Sequence, residues 1–224
     1  MTHNYEKWWS NNLFGEDEYY LHKGKKYKTP TIDEFSQEWM GTINDPDRKS
    51  VREHIVKFNT VLDVGCGGAP EYYGLKKINE NIEYTGLDIT PELVALNNKK
   101  NINCFVGSAN SIPFNDSSFD VVHSRHVIEH MKDFKQPMLE FLRVAKKCVL
   151  ISFFLGPDLR LKTDWIPKKS KISFDNKGTK GEIYHNRYSR YEIKKLLKLN
   201  KKVQSYKYIE LTDHSTYLLK INLN

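Results

Sequence analysis

The chain has 224 residues, 39% of them hydrophobic and 28% charged, with a formal net charge of +7. That length suits one domain with an appended lid and excludes two independent domains. The longest apolar run, VLISFFL at 149–155, is too short to span a bilayer and the opening stretch lacks the apolar core of a signal peptide, so a soluble, cytoplasmic protein is expected.

In chain order, residues 1–50 form a polar, aromatic-rich preamble broken by Gly15, Gly24, Pro30 and Gly41. This segment is expected to act as a lid or cap, ahead of one domain over 51–224. Its predicted helix is TIDEFSQEWM, with Thr31 as N-cap and Glu34 three residues on, the capping-box spacing. From residue 60 the pattern is regular: TVLDV, a glycine turn and a helical stretch; IEYTGLDI, then PELVALNNKK; INCFVG, then a loop; FDVVHSR, then QPMLEFLRVAKK; then CVLISFF. Apolar strands alternating with helices predict βαβ units, hence an α/β fold with a doubly wound, mostly parallel sheet. Pro91 and Pro137 fall in the opening turns of their helices, where a missing N–H costs little. A basic insertion over 156–188 reads as a long loop. Beyond it come a helix SRYEIKKLLKLN with Ser189 as cap, and then VQSYKYIEL and TYLLKINL, an antiparallel hairpin that completes seven strands.

Charge is uneven along this order. Residues 1–155 carry 19 Lys+Arg against 21 Asp+Glu, whereas residues 156–207 carry 15 against 5. A local positive field of that kind suits an anionic partner; a solvated lysine-rich surface is the alternative. No aromatic-plus-basic nucleic-acid motif accompanies it, so nucleic acid is not the favoured partner. Cys66, Cys104 and Cys148 are odd in number and lack C-x-x-C spacing, which indicates reduced thiols rather than a disulfide framework or zinc site.

The stretch VLDVGCGGAP ends the first strand of the regular pattern, where an open α/β sheet binds ligands. Its order is D-x-G-x-G-x-A, with Pro70 where the dinucleotide fingerprint wants a third glycine. Asp63, two residues before the first glycine, would repel a pyrophosphate and suits a cationic ligand. Asp88 ends the next strand, where a carboxylate can accept both hydrogens of a ribose diol. Ser108 and Ala109, after the third strand, could reach an adenine edge.

VLDVGCGGAP, YTGLDITPELV, CFVGSANSIPFNDSSFDVV and HVIEHMKDFKQPMLEFLRVAKKCVLISF together resemble the successive motifs of the class I S-adenosylmethionine-dependent methyltransferases. They are closest to the branch with the ubiquinone-biosynthesis O-methyltransferases. The resemblance runs continuously over residues 58–155 and implies S-adenosylmethionine as cofactor and S-adenosylhomocysteine as product. It implies that Asp63, Gly65, Cys66 and Gly67 cradle the methionine end, with Asp88 on the ribose and Ile89 against the adenine. Ser108 and Ala109 would meet the adenine amino group, and His123 would lie beside the methionine portion. Ala69 stands where the family usually has a third glycine, and Ser108 where it commonly has aspartate.

Methyl transfer from a sulfonium needs an aligned nucleophile and, where required, a base for its proton. HSRHVIEHM follows the fourth strand, and if it begins a helix, His126, Glu129 and His130 share one face. These three and His185 are the catalytic candidates. Glu129 and His130 have the competing role of organising the loop, because V-I-E-H is common in the family. The same four residues also resemble the cation-binding set of the small-RNA 3′-end 2′-O-methyltransferases, with His126 where those have glutamate. The reading carried forward assigns no metal. It expects O-methylation of a small, anionic or sugar-like acceptor. Rivals are an RNA or protein methyltransferase and a non-catalytic S-adenosylmethionine-binding protein, and neither the oligomeric state nor the side of Arg125 follows from the sequence.

Overall fold

The computed structural model describes residues 19–22, 25–28, 31–131, 133–154, 169–173, 180–184, 190–211 and 216–224. A hairpin of β1 (Tyr19–His22) and β2 (Lys25–Lys28) precedes α1 (Ile32–Gly41), a 3₁₀ turn over Thr42–Asn44, and α2 (Pro46–Ile55). The regular part runs β3 (Thr60–Val64), α3 (Pro70–Ile78), β4 (Glu83–Asp88), α4 (Pro91–Lys99), β5 (Cys104–Val106) and β6 (Phe119–Arg125). A 3₁₀ turn over Ile128–His130, α5 (Lys135–Val144) and β7 (Ala145–Phe154) complete it. A second hairpin, β8 (Lys169–Ser173) with β9 (Lys180–Tyr184), is followed by α6 (Arg190–Leu199), β10 (Val203–Glu210) and β11 (Thr216–Leu223).

Seven strands form one sheet in the order β10-β11-β7-β6-β3-β4-β5. Neighbours from β7 to β5 are parallel, while β11 runs antiparallel to both β7 and β10. This is the expected doubly wound sheet finished by a hairpin. Successive strand residues point to opposite faces. Leu62, Val122 and Leu219 join one core cluster, whereas Val61, Val121 and Leu218 join the other. Met138 and Phe141 of α5 and Ile193 and Leu197 of α6 cover the first face. Val51 and Ile55 of α2, Leu75 of α3 and Val94 of α4 cover the second. Each such side chain, removed from water, contributes roughly 1.5–3 kcal/mol.

Local signals act as expected at α1: the Thr31 N–H donates to Glu34 at 2.8 Å and the Glu34 N–H to the Thr31 hydroxyl at 3.2 Å. Pro91 opens α4 and Pro137 lies in the first turn of α5. Three expectations change. The helix read through Ala145, Lys146 and Lys147 stops at Val144, and these residues start β7, paired beside β6. The segment from His126 is not a helix: His126 adopts a left-handed φ of 52°, and only Ile128–His130 make a single 3₁₀ turn. Within 156–188, read as a loop, residues 169–173 and 180–184 pair antiparallel. Ser189 lies outside the described residues.

Candidate active site

From β3 the chain winds to β4 and β5 on one side, then returns to β6 and β7 on the other. Adjacent β3 and β6 thus form the topological switch point where a crevice opens at the strands' carboxyl ends. A cavity of about 300 Å³ occupies that place. The glycine turn shapes one wall. Gly65 has φ +75°, and a Cβ there would stand 2.2 Å from a Val127 methyl carbon, so no other residue fits this crossing without displacing the segment after β6. Ala69 holds φ +55° immediately before α3, the left-handed conformation that glycine adopts without penalty. The Gly65 and Cys66 N–H groups donate to the Leu87 carbonyl at 2.7 and 3.2 Å, pinning the turn to the end of β4.

Asp88 accepts the Gly67 N–H at 2.8 Å on one oxygen and the Thr90 N–H at 3.0 Å on the other. Burial pushes its carboxyl above the usual range, outweighing these two donors. Asp63 is also buried, with both oxygens engaged: the Tyr84 hydroxyl donates at 2.8 Å, and His123 Nδ1 lies 3.0 Å away. Asp63 and His123 are direct cross-strand partners, so the β3–β6 register itself creates the pair. In the neutral tautomer that donates from Nδ1 to Asp63, Nε2 is the acceptor nitrogen. His123 is 1% exposed and lines the cavity, and its Nε2 has no hydrogen-bond partner.

His126 lines the cavity from the strained turn after β6. Its N–H donates to the Ser152 carbonyl at 2.9 Å, and its Nδ1 is 2.7 Å from Glu129, which is 1% exposed behind it. Left-handed backbone at a non-glycine residue costs of order 1–3 kcal/mol and persists where the surroundings over-determine it. His130 and Met131 line the same side. Cys66 also lines the wall, but hydrogen bonding to Cys104 and burial push its thiol well up, leaving it protonated and unsuited to attack.

The sequence-based candidates Asp63, Gly65, Cys66, Asp88, Ile89, Ala109, His123, His126 and His130 therefore meet around one cavity. Gly67, Ser108 and Glu129 do not line it. The Gly67 N–H serves Asp88, the Ser108 hydroxyl accepts the Asn110 N–H at 3.2 Å, and Glu129 acts from behind His126. His185 lies outside the described residues. Among the described residues, no group of three or more His, Cys, Asp or Glu is arranged to hold a metal ion. No described helix is long and apolar enough to cross a membrane.

Two charged cavity residues, Arg48 and Arg125, were not among the candidates. Arg48 of α2 donates from Nε to Thr42 at 3.0 Å and lies 2.5 Å from Glu71. Arg52, one turn later, donates to the other Glu71 oxygen at 2.6 Å. Arg125 closes β6 beside them, 4.0 Å from Asp45. The only local signal for Arg125 was its place at the end of a strand entering the site.

Comparison with known proteins places residues 62–152 on the model of a methyltransferase domain. A demethylmenaquinone methyltransferase of Chlorobaculum tepidum is 38% identical over 88 residues, covering 38% of this chain and 36% of that protein. The ajmaline N-methyltransferase of Rauvolfia serpentina is 32% identical over 111 residues, covering 46% of this chain and 35% of that one. The matched region thus spans little more than a third of these relatives' length. Among solved structures, an S-adenosylmethionine-dependent methyltransferase of Methanosarcina mazei superposes with a TM-score of 0.58 at 18% identity, covering 78% of this chain and 96% of its own. A Pyrococcus horikoshii protein does so at 0.61 and 21%, covering 84% and 92%. At these identities the likeness is one of fold.

Proposed function

We propose that the chain is a class I S-adenosylmethionine-dependent methyltransferase, a reading supported by the match of residues 62–152 to a methyltransferase domain, and that it methylates an oxygen of a small anionic acceptor, with His126 as base. The carrying observation is the meeting, in one cavity, of the buried Asp88 carboxylate at the end of β4 with His126 after β6, backed from outside the cavity by Glu129. S-adenosylmethionine supplies an electrophilic methyl carbon on a sulfonium. The cavity's residues fit that molecule: Asp88 retains acceptor capacity for a ribose diol, and Ile89, Leu93 and Ala109 offer apolar wall to a flat base. His123 Nε2, an orphaned buried acceptor, faces the end where the cationic portion would lie.

The remaining work belongs to the chain's own groups. Glu129 accepts the Nδ1 hydrogen of His126, so Nε2 becomes the nitrogen that takes a proton from an acceptor hydroxyl. The 2.7 Å contact of Nδ1 with the buried Glu129 holds the ring on a turn whose backbone is itself tied to Ser152. The demethylmenaquinone and ajmaline relatives act on small molecules by name, which supports a small acceptor here.

The test is release of S-adenosylhomocysteine by the wild-type protein across a panel of hydroxylated carboxylates and sugar phosphates. His126→Gln should lower turnover on the best acceptor about 10²–10⁴-fold, the usual contribution of a positioned base, with cofactor affinity kept. Unchanged turnover in the variant would remove His126 from this role. Cofactor binding without turnover on any acceptor would favour a binding protein.

A further inference from the structure

Among the described residues, Arg125 is a charged side chain of the cavity wall that makes no hydrogen bond at all, and its one ion pair is at 4.0 Å to a carboxylate that is 43% exposed. Its own side chain is only 21% exposed. A guanidinium offers five N–H donors in a planar fork matched to carboxylate or phosphate. Drawing the guanidinium largely out of water with no hydrogen bond to the chain costs free energy that an anionic ligand in the cavity would recover.

Its position indicates which ligand. Arg125 lies two residues beyond His123 on the same face of β6, about 6–7 Å further along at the usual strand rise. The charged groups that act on it are Arg48, Glu71, Asp45 and Asp47, all on α2, its entry or α3. Asp88, Ile89 and Ala109 lie on the β4–β5 side of the cavity. Arg48 contributes a second guanidinium to the wall, held in place by Thr42 and Glu71. Burial, and then the like charge of Arg48, depress the Arg125 pKa, the mark of a cation short of compensating negative charge.

We infer that Arg125, with Arg48 beside it, seats a carboxylate or phosphate of the acceptor and so presents the acceptor's hydroxyl to His126. This rests on the methyltransferase reading and deepens it: the seat lies on the His126 side, and the substrate class becomes hydroxylated oxyanions. Neutral analogues of the same shape should be poor substrates, because they would leave the Arg125 guanidinium without an anionic partner.

The first probe is inorganic phosphate, read by thermal unfolding against chloride at equal ionic strength, with and without saturating S-adenosylhomocysteine. In wild type, phosphate at ten times its Kd should raise Tm by about 3 °C, equally in both conditions. Arg125→Gln should lose that rise and Arg125→Lys keep most of it, while both bind S-adenosylhomocysteine within about threefold of wild type. No rise beyond chloride in wild type, or a rise that survives in Arg125→Gln, would overturn the seat. A tenfold loss of S-adenosylhomocysteine affinity in Arg125→Gln, with the phosphate effect abolished by saturating S-adenosylhomocysteine, would instead assign the guanidinium to the cofactor's carboxylate. Wild type that takes phosphate at Arg125 but binds no S-adenosylhomocysteine would strike the methyltransferase reading and leave the anion seat standing.

Discussion

Asp88 gives the sharpest prediction at the scale of single residues. Its pKa is raised by burial, so it takes up a proton at a higher pH than an exposed aspartate would. A protonated carboxyl can no longer accept both hydrogens of a diol. Cofactor affinity should therefore fall on acidification from neutral pH, starting above the ordinary carboxylate range, and Asp88→Asn should bind weakly with little pH dependence; equal slopes in the two proteins would count against the assignment. Stability runs the other way, because a raised acid pKa favours folding below the unfolded value and loses that contribution as pH rises through the folded one. The placement of Asp63, Gly65, Asp88 and His123 at the cavity was legible in the sequence because strand ends and a local turn put them there. Arg48 was not, because what keeps it buried is Glu71, 23 residues away, and no periodicity announces such a pair. The left-handed backbone of His126 was hidden for a related reason: it depends on β7, whose Ser152 carbonyl takes the His126 N–H.

At the scale of elements, α2 and α3 are joined by Arg48, Glu71 and Arg52, with exposures of 6%, 1% and 3%. Gly74 makes room, since a Cβ there would lie 2.2 Å from the Arg52 guanidinium carbon. Removing one member of a buried ion cluster leaves the others uncompensated, so Glu71→Gln should cost about 3–5 kcal/mol in urea unfolding. A cost below about 1 kcal/mol would show that water reaches the cluster. On the other face, Arg143 of α5 donates to the Ile112 and Phe114 carbonyls at 2.9 and 2.8 Å, and Glu140 accepts the Ile112 N–H. That pair anchors the loop running from Gly107 and Ala109 in the cavity wall. Arg143→Gln should lose about 1–2 kcal/mol and weaken cofactor binding together; a stability loss with unchanged binding would separate loop from site. The elements that sequence pattern missed share one trait. Half of PDRKSVREHI in α2 is charged, and its buried face joins only Val51 and Ile55 to Asp47, Arg48 and Arg52, so its apolar periodicity is weak. The short β1–β2 and β8–β9 hairpins are polar or lysine-rich and fall outside the main sheet.

For the whole molecule, the alternation from β3 to β7 carried the fold, because each strand buried on both faces reads as a short continuous apolar run. The C-terminal hairpin was legible from two alternating segments and their short connection. Charge was less informative: ten of the 15 Lys+Arg of residues 156–207 are described and none of them lines the cavity, whose cationic part comes from Arg48 and Arg125. Spacing in sequence thus placed Asp63, Gly65, Asp88, Ala109, His123, His126 and His130 at one cavity, whereas tertiary pairing brought Arg48 to it. The most direct test of the central claim is calorimetric titration of wild type and Asp88→Ala with S-adenosylmethionine, S-adenosylhomocysteine and NADH. The account predicts that wild type binds both sulfur ligands and not NADH, and that Asp88→Ala loses both. Binding of NADH, or of neither sulfur ligand by folded wild-type protein, would contradict it.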